Sequence, residues 1–354
     1  AEILMGAFTD ADKIYINGIC CGSSYDRYAS RIYPVAPGIL RAGENVVCIH
    51  LYVFRGRGGA MPGKQYGIRF KKGKERWLDL SGTWDAQIRK QMEYLPEKTF
   101  FNYMASAMFN GMISPVSPYK ICAVIYYQGE SDVGHPNRYA LEFRALVNDW
   151  RKSWKEKQLP IIYVQLAGFS DGNIKKQGTQ WAEFREVQRQ AMEIENTAMI
   201  QAYDVGEYND LHPMDKKALG MRAALAVHKL VYGEKEECTG PQVRKIRLDR
   251  DKRVYAVFDQ PLQTGSKKDG CELVSEVELR KANGDYKRAY VTVDGNEICA
   301  WLSDGEEPTG IRYAWKDCPM NICLYGKRGL PVIPFIKEWG RDAIYTGKIC
   351  ETDR

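Results

Sequence analysis

The chain has 354 residues, 44% of them hydrophobic and 27% charged, and its 51 Lys+Arg exceed its 45 Asp+Glu by six. That balance belongs to a globular protein of two or three domains, and the basic residues are interspersed with acids, so no nucleic-acid footprint is implied. No apolar run approaches the roughly 18–20 residues needed to cross a bilayer, so no membrane partner is expected.

Residues 1–92 read as β throughout. Asp10 to Gly18 alternates and ends in an Asn17-Gly18 turn, a strong hairpin signal, and the loop Leu40 to Asn45 feeds a further strand at 46–51. Short strands at this spacing predict a β-sandwich of the jelly-roll or galactose-binding kind. The opening residues already read as a strand interior, so the chain is expected to start in mid-domain, with a preceding N-terminal segment as its possible partner.

Over 93–236 strands and helices alternate, which predicts a parallel sheet flanked by helices. The run 121–127 is rich in β-branched and aromatic residues and stops abruptly at Gln128-Gly129-Glu130-Ser131. In 137–155, Tyr139, Phe143, Leu146, Val147, Trp150 and Trp154 recur at helical spacing and form a core stripe. A buried strand at 159–169, a helix at 181–193, a strand at 198–205 and a helix at 215–232 closed by Gly233 follow. After Gly240-Pro241 the helices vanish. Strands at 243–258, 272–280, 290–293 and 298–302, with turns at Asn283-Gly284 and Asp294-Gly295, predict a C-terminal β-domain over 237–354.

Ten cysteines are many, yet Cys20 and Cys21 are adjacent and no C-x-x-C pair occurs, so the spacing is poor for a metal. Cys318 and Cys323 flank one turn region and stand either as a pair or as two buried thiols.

Of four histidines, His212 lies in a polar loop, Asn209-Asp210-Leu211-His212-Pro213, between a strand and a helix. It is the best candidate for a general base. His50 and His228 sit inside a strand and a helix, and His135 lies in a turn close to Glu130. A catalytic histidine needs a carboxylate to orient it and to stabilise the imidazolium. Asp210 on the same loop and Glu130 at the end of a neighbouring strand are the two candidates; their bland alternatives are a helix cap and an internal ion pair. Gln128 offers a neutral amide donor suited to a developing oxyanion.

Several separated motifs then converge. Tyr126-Tyr127-Gln128-Gly129-Glu130-Ser131, Phe109-Asn110-Gly111-Met112-Ile113, Trp181-Ala182-Glu183-Phe184-Arg185 and Asp210-Leu211-His212-Pro213 resemble the sialate O-acetylesterase family of the SGNH-hydrolase superfamily. Arg31-Ile32-Tyr33-Pro34 upstream and Arg312-Tyr313-Ala314-Trp315 downstream extend the resemblance. It implies an α/β fold of flavodoxin-like SGNH type with an inserted β-sandwich and a C-terminal β-domain. It further implies an acetylated sugar as partner, no metal or other cofactor, and a periplasmic or secreted location. His212 becomes the base, Asp210 or Glu130 the acid, and Gln128, the Gly111 N–H and Asn110 the oxyanion donors. Superfamily members often carry an aspartate three residues before the histidine, where this chain has Asn209. The family's nucleophile motif, Gly-Gln-Ser-Asn, does not occur in the chain. The expectation is therefore a chain holding only the histidine, acid and oxyanion half of the site. An acetylxylan-type esterase and a glycan-binding β-sandwich protein with an inert hydrolase remnant are the alternatives.

Overall fold

Strands in the first part of the chain follow the alternation of apolar residues. They are β1 (Glu2–Met5), β2 (Ala11–Ile16), β3 (Ile19–Ser24), β4 (Ile32–Pro34), β5 (Val47–Tyr52), β6 (Tyr66–Phe70) and β7 (Arg76–Asp79). In this computed structural model they form two antiparallel sheets, ordered β4-β1-β6-β7 and β3-β2-β5. Both sheets contribute to one apolar cluster that includes Ile3, Met5, Ile14, Ile16 and Ile68. The Asn17-Gly18 turn is as expected, with φ of 50° and 81° in the left-handed region that a tight hairpin needs. Arg31 Nε donates to Asp12 Oδ1 at 2.7 Å with both side chains fully buried, which ties β2 to the segment entering β4. The β pattern ends at Asp79 rather than near 92. Beyond it the apolar residues lose their alternation, and Trp84 and Ile88 face solvent.

The described residues are 1–26, 29–54, 56–71, 76–93, 99–170, 177–235, 237–265, 276–339 and 350–351, and the chain divides into two units, Ala1–Met104 and Ala105–Arg354.

The second unit opens with a mixed α/β portion. Its elements are β8 (Val124–Tyr126), α1 (Pro136–Ser153), β9 (Ile161–Gln165), α2 (Gln180–Gln190), β10 (Thr197–Gln201) and α3 (Lys216–Tyr232). The three strands pair in parallel in the order β10-β9-β8. Central β9 is buried at every position, as a parallel strand covered on both faces must be. One face packs on α1 and α2 through Tyr139, Phe143, Val147 and Phe184, so the aromatic stripe of α1 is core. The other face packs on α3 through Leu219, Ala223 and Ala226. α3 begins with Asp215, whose side chain accepts the Ala218 N–H at 3.1 Å, and ends at Gly233 with φ 72°. Asp215 thus takes the capping role that was one reading of Asp210.

The strand expected over 121–127 keeps only three residues. Among the described residues β8 pairs with β9 alone and no ladder includes 121–123, and Ile125 is 58% exposed. An unpaired apolar edge promotes association. The chain is expected to self-associate with rising concentration, and Ile125→Lys should shift it toward monomer in multi-angle light scattering; an unchanged mass would show the edge to be inert.

From 243 onward the unit is β: β11 (Val243–Leu248), β12 (Val254–Phe258), β13 (Leu262–Thr264), β14 (Val277–Arg280), β15 (Tyr286–Arg288), β16 (Tyr290–Asp294), β17 (Glu297–Trp301), β18 (Gly310–Tyr313), β19 (Leu324–Gly326), β20 (Phe335–Glu338) and β21 (Cys350–Glu351). Sheets β16-β17-β12-β11-β21 and β15-β14-β18-β20 share an apolar core around Phe258, Leu279, Ile298, Ile311 and Tyr313. The expected strand at 272–280 is seen from Val277, because residues 272–275 lie outside the described residues. Cys318 and Cys323 are both buried and unbridged, so they are separate thiols.

Candidate active site

The chain leaves β8 through Tyr126 and Tyr127 and turns at Gly129, whose φ is 152°. A Cβ there would stand 2.6 Å from Phe184 Cε1, so glycine is required by the close approach of α2 as well as by the backbone. A single 3-10 turn, Glu130–Asp132, follows. Gln128 is gripped at both ends of its amide. The Tyr126 hydroxyl donates to Oε1 at 2.9 Å, and Nε2 donates to Asp132 Oδ2 at 2.7 Å. Burial pushes the Tyr126 hydroxyl well above the usual tyrosine range, so it remains a donor at neutral pH. An amide nitrogen carries two hydrogens, and only one is committed to Asp132. The other is free to serve a ligand. Asp132 was missed in the sequence, although its place four residues after Gln128 across a turn was the available signal.

After β10 the chain runs through Asp204 into the His212 loop and returns as α3. Arg222 of α3 reaches back in a bidentate pair, Nη1 donating to Asp204 Oδ1 and Nη2 to Oδ2, both at 2.7 Å, and also donates to the Gln201 carbonyl. This pair is nearly fully buried and clamps the strand end to the helix beyond the loop. Within the loop, Glu207 accepts the Asp210 N–H at its carbonyl (3.0 Å) and the Met214 N–H at its carboxylate (3.2 Å). Asp210 Oδ1 accepts the backbone N–H of His212 at 2.8 Å. His212 itself is exposed. Gly206 lies against the loop after β9, since a Cβ would meet Ala167 Cβ and Gly168 backbone atoms at 3.0 Å. Ser170 on that loop is buried, and its N–H donates to the Tyr208 carbonyl at 2.6 Å.

The same edge is shaped by α2 and by residues 316–318. Gln188 of α2 replaces a strand partner where β9 ends: Leu166 N–H donates to Oε1 at 2.9 Å and Nε2 donates to the Val164 carbonyl at 3.2 Å. Asp317 Oδ1 accepts the Trp181 N–H at 2.9 Å at the start of α2, and Arg185, fully buried, donates to the Asp317 and Lys316 carbonyls. Burial lowers the Arg185 guanidinium to about 10 and raises the Cys318 thiol to about 11. These residues stand far apart in sequence, and only the charged and amide positions on the apolar face of α2, Arg185 and Gln188, hinted at them.

Gln128 and Glu130 follow β8, and Asp210 and His212 follow β10, so the topology brings all four to the carboxyl edge of one parallel sheet with β9 between. Two strand spacings amount to about 10 Å. Asn110 and Gly111 come from a separate segment before β8. They lie on an exposed wide helical turn, Phe109–Ile113, and among the described residues no hydrogen bond joins them to Gln128, Glu130 or His212. The tie in this region is further on, from Trp154 Nε1 to the Tyr119 carbonyl at 3.0 Å. Of the other histidines, His50 packs on Tyr15 and His228 pairs with Glu234 at 2.6 Å, while His135 ends the Gln128 loop at the N-terminus of α1, its backbone N–H donating to the Asp132 carbonyl at 2.7 Å. Among the described residues no group of three His, Cys, Asp or Glu side chains is arranged to hold a metal, and no helix is long and apolar enough to cross a membrane.

Residues 86–229 match the family model described as carbohydrate esterase, sialic acid-specific acetylesterase. The sialate O-acetylesterase of Mus musculus is 31% identical over 275 residues, which are 66% of this chain and 47% of that protein. The human sialate O-acetylesterase is 28% identical over 264 residues, 65% of this chain and 48% of that protein. The crystal structure of a carbohydrate acetylesterase from Xanthomonas citri aligns with a TM-score of 0.59 at 29% identity, covering 65% of this chain and 54% of that one. The chain spans about half the length of these two curated relatives. Residues 86–229, the stretch that builds the parallel sheet and both of its edge loops, are thus the part of the chain that is similar to the sialic acid-specific acetylesterase family of carbohydrate esterases.

Proposed function

We propose that this chain contributes the histidine, acid and oxyanion half of a serine-type esterase that removes acetyl groups, including 9-O-acetyl, from sialic acid. The observation that carries this reading is the placement of the Gln128 and His212 loops at the same sheet edge. A serine oxygen attacks the acetyl carbonyl while His212 takes its proton. The oxygen of the tetrahedral species is held by the uncommitted N–H of Gln128, with the Gly111 N–H and Asn110 as further donors. Collapse expels the sugar oxygen, which takes the proton from His212 and leaves an acetyl-enzyme. Water then repeats the sequence and releases acetate. No serine of these 354 residues stands in the family's Gly-Gln-Ser-Asn motif, so the nucleophile comes from outside them. The reading carries with it an SGNH-type hydrolase domain around 93–236, a β-sandwich at 1–92, a C-terminal β-domain at 237–354 and a periplasmic or secreted location.

The acid is assigned to Asp210, held two residues from the histidine by the chain itself. In a form of the protein carrying the nucleophile, Asp210→Asn should lower kcat/KM at least about tenfold more than Glu130→Gln, because loss of the histidine's orienting acid removes most triad catalysis. The reverse ranking moves the role to Glu130. The rival reading, a glycan-binding protein with an inert hydrolase remnant, draws on the same missing motif and predicts no effect of either change on hydrolysis.

A further inference from the structure

The outward face of the sheet β3-β2-β5 has a composition that the esterase reading does not use. Register pairs Lys13 with Ser23 on one side and His50 on the other, and Tyr15 with Cys20 and Cys48. The opposite face of these strands carries the core residues Ile14, Ile16, Val47 and Ile49, so the alternation turns Lys13, Tyr15, His50 and Tyr52 outward. Tyr15 and His50 pack ring to ring with centroids 4.8 Å apart. Tyr25 is 70% exposed and Tyr52 41% exposed, and both lie near enough, with Tyr15, to hold the Lys13 ammonium above its ordinary value. None of the outward residues on these three strands is acidic. The result is one ammonium flanked by Tyr15, Tyr25 and Tyr52, with Ser23 and His50 opposite it on the neighbouring strands.

We propose that this face binds the terminal sialic acid of a glycan, separately from the ester-hydrolysing edge. The aromatic rings cover the apolar faces of a sugar ring, hydroxyls meet its hydroxyls, and Lys13 pairs with the carboxylate. Charge complementarity commits the site to an acidic sugar over a neutral one. The choice of sialic acid rests on the proposed substrate class. On so open a surface the affinity is weak, with Kd on the order of 1 mM.

The test is titration of the chain with 3′-sialyllactose, lactose and a glucuronate-ended oligosaccharide, followed by NMR shifts of Lys13 and the flanking tyrosines. Sialyllactose should bind about fivefold or more tightly than lactose, and Lys13→Met should remove that advantage, as expected for a single exposed charge pair. Tyr25→Ala, at a more exposed position, should weaken sialyllactose and lactose alike. Equal binding of lactose, a preference for the glucuronate, or undiminished binding by Lys13→Met overturns the proposal. Acetyl-ester hydrolysis by the chain combined with a segment bearing the Gly-Gln-Ser-Asn motif, measured in parallel, separates the two ideas: lost binding with intact hydrolysis sinks this face alone, and the reverse sinks the esterase reading alone.

Discussion

Asp204→Ala should lower the stability of the 105–354 unit by about 3–5 kcal/mol, because it strands the Arg222 guanidinium in a buried site. The pair is bidentate at 2.7 Å, with side-chain exposures of 9% and 1%, so water cannot replace the lost carboxylate. Removing both partners together, as in Asp204→Ala with Arg222→Leu, should cost less than the single change, since no charge is then left unpaired. Urea unfolding monitored by circular dichroism checks both expectations. A single variant within about 1 kcal/mol of the parent would show that the clamp does not hold the base of the His212 loop.

His212→Ala should reduce turnover on the order of 10⁴-fold or more in any form of the protein that hydrolyses acetyl esters through a serine. Of the described histidines in the 105–354 unit, His212 lies in the loop after β10 and His135 at the end of the Gln128 loop after β8, while His228 is engaged with Glu234 at the far end of α3; His135→Ala is the control that separates the two edge histidines. His228→Ala should leave kcat within about twofold, since surface changes of this kind rarely disturb a distant site. A small effect of His212→Ala on kcat, with KM raised, would recast the residue as a substrate contact.

Much of this organisation was legible in the residues themselves. The helical spacing of Tyr139, Phe143 and Val147 marked the core face of α1, and the Asn17-Gly18 turn marked the first hairpin, because both signals are local and strong. Gln128 and His212 were visible because polar residues follow apolar strands at the end of a sheet where ligands bind. Strand lengths were less legible. The run 121–127 has strand composition throughout, but only 124–126 has a neighbour to pair with, and pairing is a tertiary fact. The supports of the site were hidden for the same reason. Arg222 meets Asp204 across a loop, and Arg185 meets residues 316–317 more than a hundred positions away. Asn110 and Gly111 carry the family's motif, yet they sit on an exposed turn with no described bond to the sheet edge, so motif alone did not fix their place.

The most direct measurement is acetyl-ester hydrolysis by the 354-residue chain, alone and combined with a segment bearing the Gly-Gln-Ser-Asn motif, on 4-nitrophenyl acetate and on 9-O-acetylated sialic acid. The account predicts near-background hydrolysis by the chain alone, because a base without an activated serine beside it can do little more than assist water. It predicts a large gain on combination, abolished by His212→Ala. Ser170 is the serine whose backbone donates to the His212 loop at Tyr208, so Ser170→Ala should leave that activity within about twofold. High activity from the chain alone, lost on Ser170→Ala, would contradict the account and place the nucleophile within these residues.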